Sequence, residues 1–407
     1  MGFTERRDII RKIEQQRGST VICYLTTLRP GVAGMIAGDQ VRVFFDHLLR
    51  FPKRPIEKLD IFLCSNGGDG TVPWRLVALF REFATKFNVL IPYRAYSAAS
   101  LLALGADEIV MHPFAELGPI DPTVANEFNP EDPVTRQKRA ISVEDVTAYV
   151  HFIKETVGIT HEDELVRAIE ILAQQVHPIA LGNIERFISQ SRMIARKILR
   201  THMADTESHV IDEIVENLAS KLYFHGHPIN RKEAKEELKL KVKVDLGDNL
   251  EKWMWALYRD FEVEFQNADP FNPALELAAA AANPQPAPAQ PPPGQPGPGL
   301  PGQVIAGQPP GFIDRELLHA VIESTEMSSR YLSKHRYARM QIVMPPQPIP
   351  QVAIQDEMLE AGWSHLMAPA APTRGQPSSS APAGTPSGGA VSRQRRARSI
   401  RPRPEST

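Results

Sequence analysis

Residues 59–111, LDIFLCSNGGDGTVPWRLVALFREFATKFNVLIPYRAYSAASLLALGADEIVM, alternate short apolar runs with helix-spaced ones, and that alternation decides the fold class. Leu59–Cys64, Val89–Arg94 and Glu108–Met111 read as strands, with Thr20–Thr26 (TVICYLT) as a fourth upstream. Their nearly continuous apolar character predicts a sheet covered on both faces. Between them, Asp39–Leu49, Val72–Phe87 and Ala98–Gly105 carry helical spacing; Val72, Leu76, Leu79, Phe80 and Phe83 form one stripe. Strand–helix–strand order predicts parallel pairing and an α/β fold. In such folds reactive groups gather at the carboxyl ends of strands, where loop amides and helix N-termini face one crevice.

Working outward, Val143–Met203 is helical almost throughout, with Ile184, Phe187, Ile188, Ser191, Ile194, Ala195 and Ile198 on one face. A helix near Val210–Leu222 and the Trp253–Phe261 segment complete a domain expected over residues 1–260. Eleven of the 36 prolines lie between Pro284 and Pro310, so 261–311 reads as a Pro-rich linker that cannot bury enough apolar surface to offset chain entropy. An amphipathic helix is expected at 312–345, centred on Ile313–Arg336, followed by a disordered basic tail at 346–407 with six arginines between Arg393 and Arg403.

With 46 Lys plus Arg against 48 Asp plus Glu, the formal charge of -2 supplies no global field to recruit nucleic acid or a membrane surface. Cys23 and Cys64 sit in apolar runs, as reduced core thiols do. No run approaches the roughly 18 apolar residues of a membrane span, and the expected location is cytoplasmic. His225 and His227 resemble a metal pair but lack further ligands at suitable spacing, and no metal or cofactor is expected.

Two turns carry chemistry. In CSNGGDGTVPW, Gly67 and Gly68 reach backbone angles closed to other residues and leave their amides unshielded, as an approaching oxyanion requires. In AYSAASLLALGADEIVM a small-residue turn opens a helix, and Ser100 is the candidate nucleophile, favoured by the helix N-terminus and by the space left by Ala98 and Ala99. Lying one βα unit apart, the turns would bring hydroxyl and amides into one crevice, the geometry of acyl transfer.

Ser-x-Gly-Gly after a strand, followed about 30 residues later by Ala-Ala-Ser at a helix start, resembles the Clp protease proteolytic subunit and signal peptide peptidase A. SAASLLALGADEIVMHPFAELGPIDP, with SVEDVTAYVHFIKE, LGNIERFISQSRMIARKIL and HGHPINRKEA, resembles more closely the serine dehydrogenase proteinase family of the ClpP/crotonase superfamily, over about residues 15–245. The resemblance implies a ClpP/crotonase-like spiral of ββα units with a helical C-terminal extension, and a serine peptidase acting through a Ser100 acyl-enzyme. The oxyanion hole would come from the amides of Gly67 or Gly68 and of Leu101. It also implies a homo-oligomeric ring or chamber, peptide or unfolded-protein substrates, and delivery by a separate ATPase.

The general base is less legible. Clp-type enzymes carry a histidine about 25 residues after the serine, and none stands near Ala125. Lys138, 38 residues after Ser100 in TRQKRAISVEDV, is the leading candidate by analogy with Ser–Lys dyads; His112 and Asp121 are weaker ones. Two alternatives stay open: an inactive oligomeric scaffold of the same fold, and a crotonase-like acyl-CoA enzyme using the paired amides for an enolate.

Overall fold

The computed structural model describes residues 2–120, 123–124, 127–132, 138, 141–204, 207–221, 227–282, 311–342 and 351–368. Its centre is strand β1 (Thr20–Thr26), buried along nearly its whole length as a two-sided strand must be. On one side run, all parallel, β2 (Ile56–Cys64), β3 (Ala84–Ile91), β4 (Glu108–Met111) and the short β5 (Val242–Lys243), with Ile22 opposite Ile61 and Ile61 opposite Val89. The α/β reading of the first half therefore holds, with Thr20–Thr26 and Glu108–Met111 matching to the residue.

Alternate side chains of these strands point to opposite faces, and each face is covered by helices. One carries Ile22, Tyr24, Ile61, Leu63, Val89 and Ile91 under α1 (Gln40–Arg50) and α2 (Val72–Phe83), through Phe44, Leu48, Leu76 and Phe80. Ile194 and Ile198 of α3 (Pro178–Leu199) join the same core. The opposite face carries Val21, Cys23, Phe62, Cys64, Leu90 and Val110. It packs on the N-terminal helix Phe3–Arg17, through Ile10 and Ile13, and on α4 (Asp248–Phe265), through Leu250, Met254, Leu257 and Phe261. Both cysteines are free and buried, and burial pushes the Cys64 thiol up to about 12. None of the described helices is long and apolar enough to cross a membrane.

The segment beyond the proline-rich stretch departs from expectation. Residues 312–342 form strands, not an amphipathic helix: β6 (Phe312–Ser324) pairs antiparallel with β1, β7 (Met327–Ile342) with β6, and β8 (Gln351–Met367) with β7. The eight-stranded sheet thus runs β5-β4-β3-β2-β1-β6-β7-β8, and Met1–Ala368 form one unit, so 312–345 is not separate from the 1–260 domain. The misreading has a physical source. Ile313, Leu317 and Val321 recur every four residues, a spacing shared by a helix face and by one side of a strand. A β-bulge between Leu318 and Ala320 then breaks the alternation that would have told them apart.

A buried ion cluster fastens this block to the N-terminal helix. Arg6, fully buried, donates to both carboxylate oxygens of Glu323 on β6 at 2.6 and 2.8 Å, and to Asp260 and Glu264 of α4 at 2.8 and 2.6 Å.

Candidate active site

β2 ends at Cys64, and the next residue begins the site. Ser65, fully buried, pairs through its main chain with the strand that precedes the second turn: its N–H donates to Arg94 O and its carbonyl accepts from Tyr96 N–H, both at 3.0 Å. Its hydroxyl accepts from Gly67 N–H at 3.1 Å and shares a 2.8 Å hydrogen bond with the Thr26 hydroxyl. Gly67 has φ 103° and lies so close to the second turn that a Cβ there would stand 2.8 Å from Ser97 Cβ and 3.1 Å from Ala98 N. Only glycine fits the angle and the gap.

The Gly67–Gly68 peptide is oriented by its neighbour on the far side. Ile36 N–H donates to Gly67 O at 2.8 Å, and Ile36 O accepts from Asp69 N–H at 2.9 Å. In a trans peptide the N–H points opposite to the C=O. With Gly67 O turned to Ile36, the Gly68 N–H is turned away from it, and it has no acceptor among the described residues.

The second turn is Tyr96-Ser97, between the short strand Arg94–Ala95 and the helix Ala98–Ala103. Ser97 has φ 52° and ψ −115°, a backbone strained for a residue with a Cβ. Such strain is what a sharp strand-to-helix turn imposes when it lifts a serine clear of the sheet. Its N–H donates to Pro119 O at 3.2 Å, which ties the turn to the following loop, and its hydroxyl has no hydrogen-bond partner among the described residues. Ala98 is the first helical residue, so its N–H has no intrahelical acceptor.

Ser97 and Gly68 line one crevice of about 390 Å³ together with Asn66, Asp69, Gly70 and Thr71. Leu101 and Ile120 lie in its wall, and α3 covers it with Phe187, Gln190, Ser191 and Ile194. The Ser191 hydroxyl donates to Ile120 O at 2.7 Å, tying α3 to the loop that holds Ser97. Asp69 is the acid at the crevice, and its carboxylate accepts from the N–H and hydroxyl of Thr71 at 2.8 and 2.7 Å.

The two turns meet, and the serine that lines their crevice is Ser97, not Ser100. Ser100 is 2% exposed, and its hydroxyl lies 2.7 Å from the carbonyl oxygens of Ala95 and Gly118 while accepting from Gly118 N–H at 3.2 Å. It faces the packed interior, not the crevice. Gly67 and Leu101 are at the site, but their amides are engaged, with Ser65 and with Ser97 O at 3.0 Å respectively. Among the described residues, the amides of Gly68 and Ala98 have no acceptor. The signal for Ser97 was in the sequence all along: it directly precedes the first small helical residue, three positions before Ser100.

The proposed bases fall elsewhere. His112 stacks on Trp255, with ring centroids 5.4 Å apart, and accepts from Phe114 N–H; burial there lowers its pKa. Asp121 lies outside the described residues. Lys138 pairs with Glu131 at 3.1 Å, both side chains half exposed. Lys138 also forms an antiparallel bridge with Glu131, and Thr123–Val124, which begins three residues after Ile120 of the crevice wall, pairs antiparallel with Ile141–Ser142.

Residues 2–163 match the family described as ClpP-like SDH-type serine proteinase, which bears out the resemblance read from SAASLLALGADEIVM. Two uncharacterized proteins of Methanocaldococcus jannaschii are similar over 260 residues. One is 26% identical, covering 62% of this chain and 75% of its own. The other is 29% identical, covering 62% and 77%. Solved structures of a membrane-bound stomatin-specific protease, one in complex with a substrate peptide, share 13% and 14% identity. They cover 56% of this chain and 82% and 77% of theirs, each with a TM-score of 0.32. Helix α3 and strands β6–β8 lie beyond the residues that the family matches.

Proposed function

We propose that this chain is a serine peptidase whose nucleophile is Ser97, with the amides of Gly68 and Ala98 as the oxyanion hole. The observation that carries the reading is the strained Ser97 backbone, which presents a hydroxyl beside two main-chain donors, all three without partners among the described residues. Strain of this kind persists only where the surroundings impose it, and it concentrates at reactive sites. The family match supplies the reaction class.

In the proposed cycle Ser97 Oγ adds to the scissile carbonyl as its proton passes to a base. The carbonyl oxygen becomes anionic between the two amides, the C–N bond breaks as the base returns the proton to the leaving amine, and water then releases the acyl group. Lys138 is the proposed base. To act it would have to leave Glu131, its partner at 3.1 Å, and come within hydrogen-bond reach of the Ser97 hydroxyl. Peptides or unfolded chains in a homo-oligomeric chamber fed by a separate ATPase, in the cytoplasm, complete the reading by family likeness.

The inactive-scaffold alternative is favoured by one observation: among the described residues lining the crevice there is no histidine or lysine. Reaction with a fluorophosphonate separates the two. Wild type and Ser100→Ala should label, and Ser97→Ala should not; labelling that persists in Ser97→Ala, or an unreactive wild type, overturns the proposal.

A further inference from the structure

We infer that Ser65 is a positioning residue: its buried hydroxyl, by accepting from Gly67 N–H, aims the neighbouring Gly68 amide at the oxyanion. The inference rests on the reading of Ser97, Gly68 and Ala98 given above. Gly67 lies between two peptide planes, and each is held by one contact. The Gly67–Gly68 plane is fixed by Ile36 N–H on Gly67 O, and the Asn66–Gly67 plane by the Ser65 hydroxyl. A glycine with φ 103° has no side chain to restrict rotation between those planes, so without the Ser65 contact the Gly68 N–H is held through Ile36 alone and its direction is less sharply fixed. Ser65 also joins the two halves of the site, because its own N–H and C=O bond Arg94 and Tyr96, the residues leading into Ser97. Ser65 thereby shares with Ile36 the direction of the donor, and its main chain ties that donor to the turn of the nucleophile.

Hydrogen-bond accounting separates this role from mere satisfaction of a buried hydroxyl. Ser65 Oγ has two partners, Gly67 N–H and the Thr26 hydroxyl, the latter also buried. Thr26→Val removes one buried hydrogen bond but leaves the acceptor for Gly67 N–H. Ser65→Ala removes both. The two substitutions have related structural costs, and only the second frees the Gly67 amide.

The test uses the full chain and compares wild type, Ser65→Ala, Thr26→Val and Ser97→Ala. Three quantities are read: the rate of fluorophosphonate labelling per active site, the affinity for a peptide boronate that forms a tetrahedral anion on the serine, and the affinity for the uncleaved product peptide. Ser65→Ala should lose on the order of tenfold to a hundredfold in labelling rate and boronate affinity, with product-peptide affinity unchanged. Thr26→Val should stay within about twofold of wild type on all three. If Ser65→Ala does not fold, Ser65→Cys, of similar size but a weak acceptor, should show the same selective loss in smaller measure. Wild-type labelling at Ser97 with an equal rate in the Ser65 variant overturns this inference alone. Labelling equal in wild type and Ser97→Ala overturns the underlying peptidase reading instead.

Discussion

Two serines three positions apart illustrate what a single backbone angle decides. Ser97 and Ser100 both lie in a small-residue turn at the start of a helix, and composition does not rank them. The turn does: φ 52° at Ser97 exposes its hydroxyl, while the helix carries Ser100 inward to the carbonyls of Ala95 and Gly118. Ser100→Ala should therefore cost about 1–3 kcal/mol of stability in a denaturant titration, by taking the buried hydroxyl from Gly118 O while Gly118 N–H keeps its bond to Ala95 O, and should leave labelling intact. Gly67→Ala should do the opposite to function, because its Cβ would meet Tyr96 O at 2.7 Å and Ser97 Cβ at 2.8 Å at an angle hostile to side chains. Loss of labelling together with about 1–3 kcal/mol of stability is expected, read by the same two assays. The meeting of the two turns was legible because glycine pairs and alanine runs mark close approach; which amides stay unpaired was not, since that depends on Ser65 and on Ile36, distant in sequence.

At the scale of elements, the parallel strands announced themselves by continuous apolar runs, and β6 did not. Its bulge at residues 318–320 and its charged edge positions imitate a helix until β1 is there to pair with it. What holds β6 is also what the sequence concealed, a buried arginine on the N-terminal helix. Arg6 faces three carboxylates, Glu323, Asp260 and Glu264. Arg6→Met would leave Glu323 buried without its arginine while Arg330 still pairs with Glu264 at 2.8 Å, and a loss of about 3–5 kcal/mol is expected in chemical unfolding. Replacing Arg6, Glu323 and Asp260 together by apolar residues of similar size should recover much of that loss, a double-mutant-type comparison that isolates the unpaired charge.

For the molecule as a whole, two buried groups set opposing pH dependences. His47, enclosed between the hydroxyls of Ser324 and Ser329, is held down to about 3, chiefly by burial. As pH falls below about 6.5 the unfolded chain binds a proton that the folded state refuses, so stability declines toward acid by at most about 1.4 kcal/mol per pH unit. Glu14, which accepts from Val21 N–H, is raised to about 7 by burial. Above about 4.5 the unfolded chain loses a proton that the folded state keeps, so this contribution declines as pH rises toward 7. Between about pH 4.5 and 6.5 the two slopes cancel. His47→Gln should therefore unmask a fall in melting temperature as pH rises across that interval, where wild type is flatter; parallel profiles for the two proteins would contradict the assignment.

The placement of β6 against β1 has a consequence for biosynthesis. β1 ends at Thr26, yet the neighbour on its other side begins only at Phe312 and is made that much later. At roughly 5–20 residues per second, a ribosome leaves that flank bare for tens of seconds at the slower pace. Until β6 arrives, the outer edge of β1 keeps its main-chain donors and acceptors unpaired, an open template for other strands.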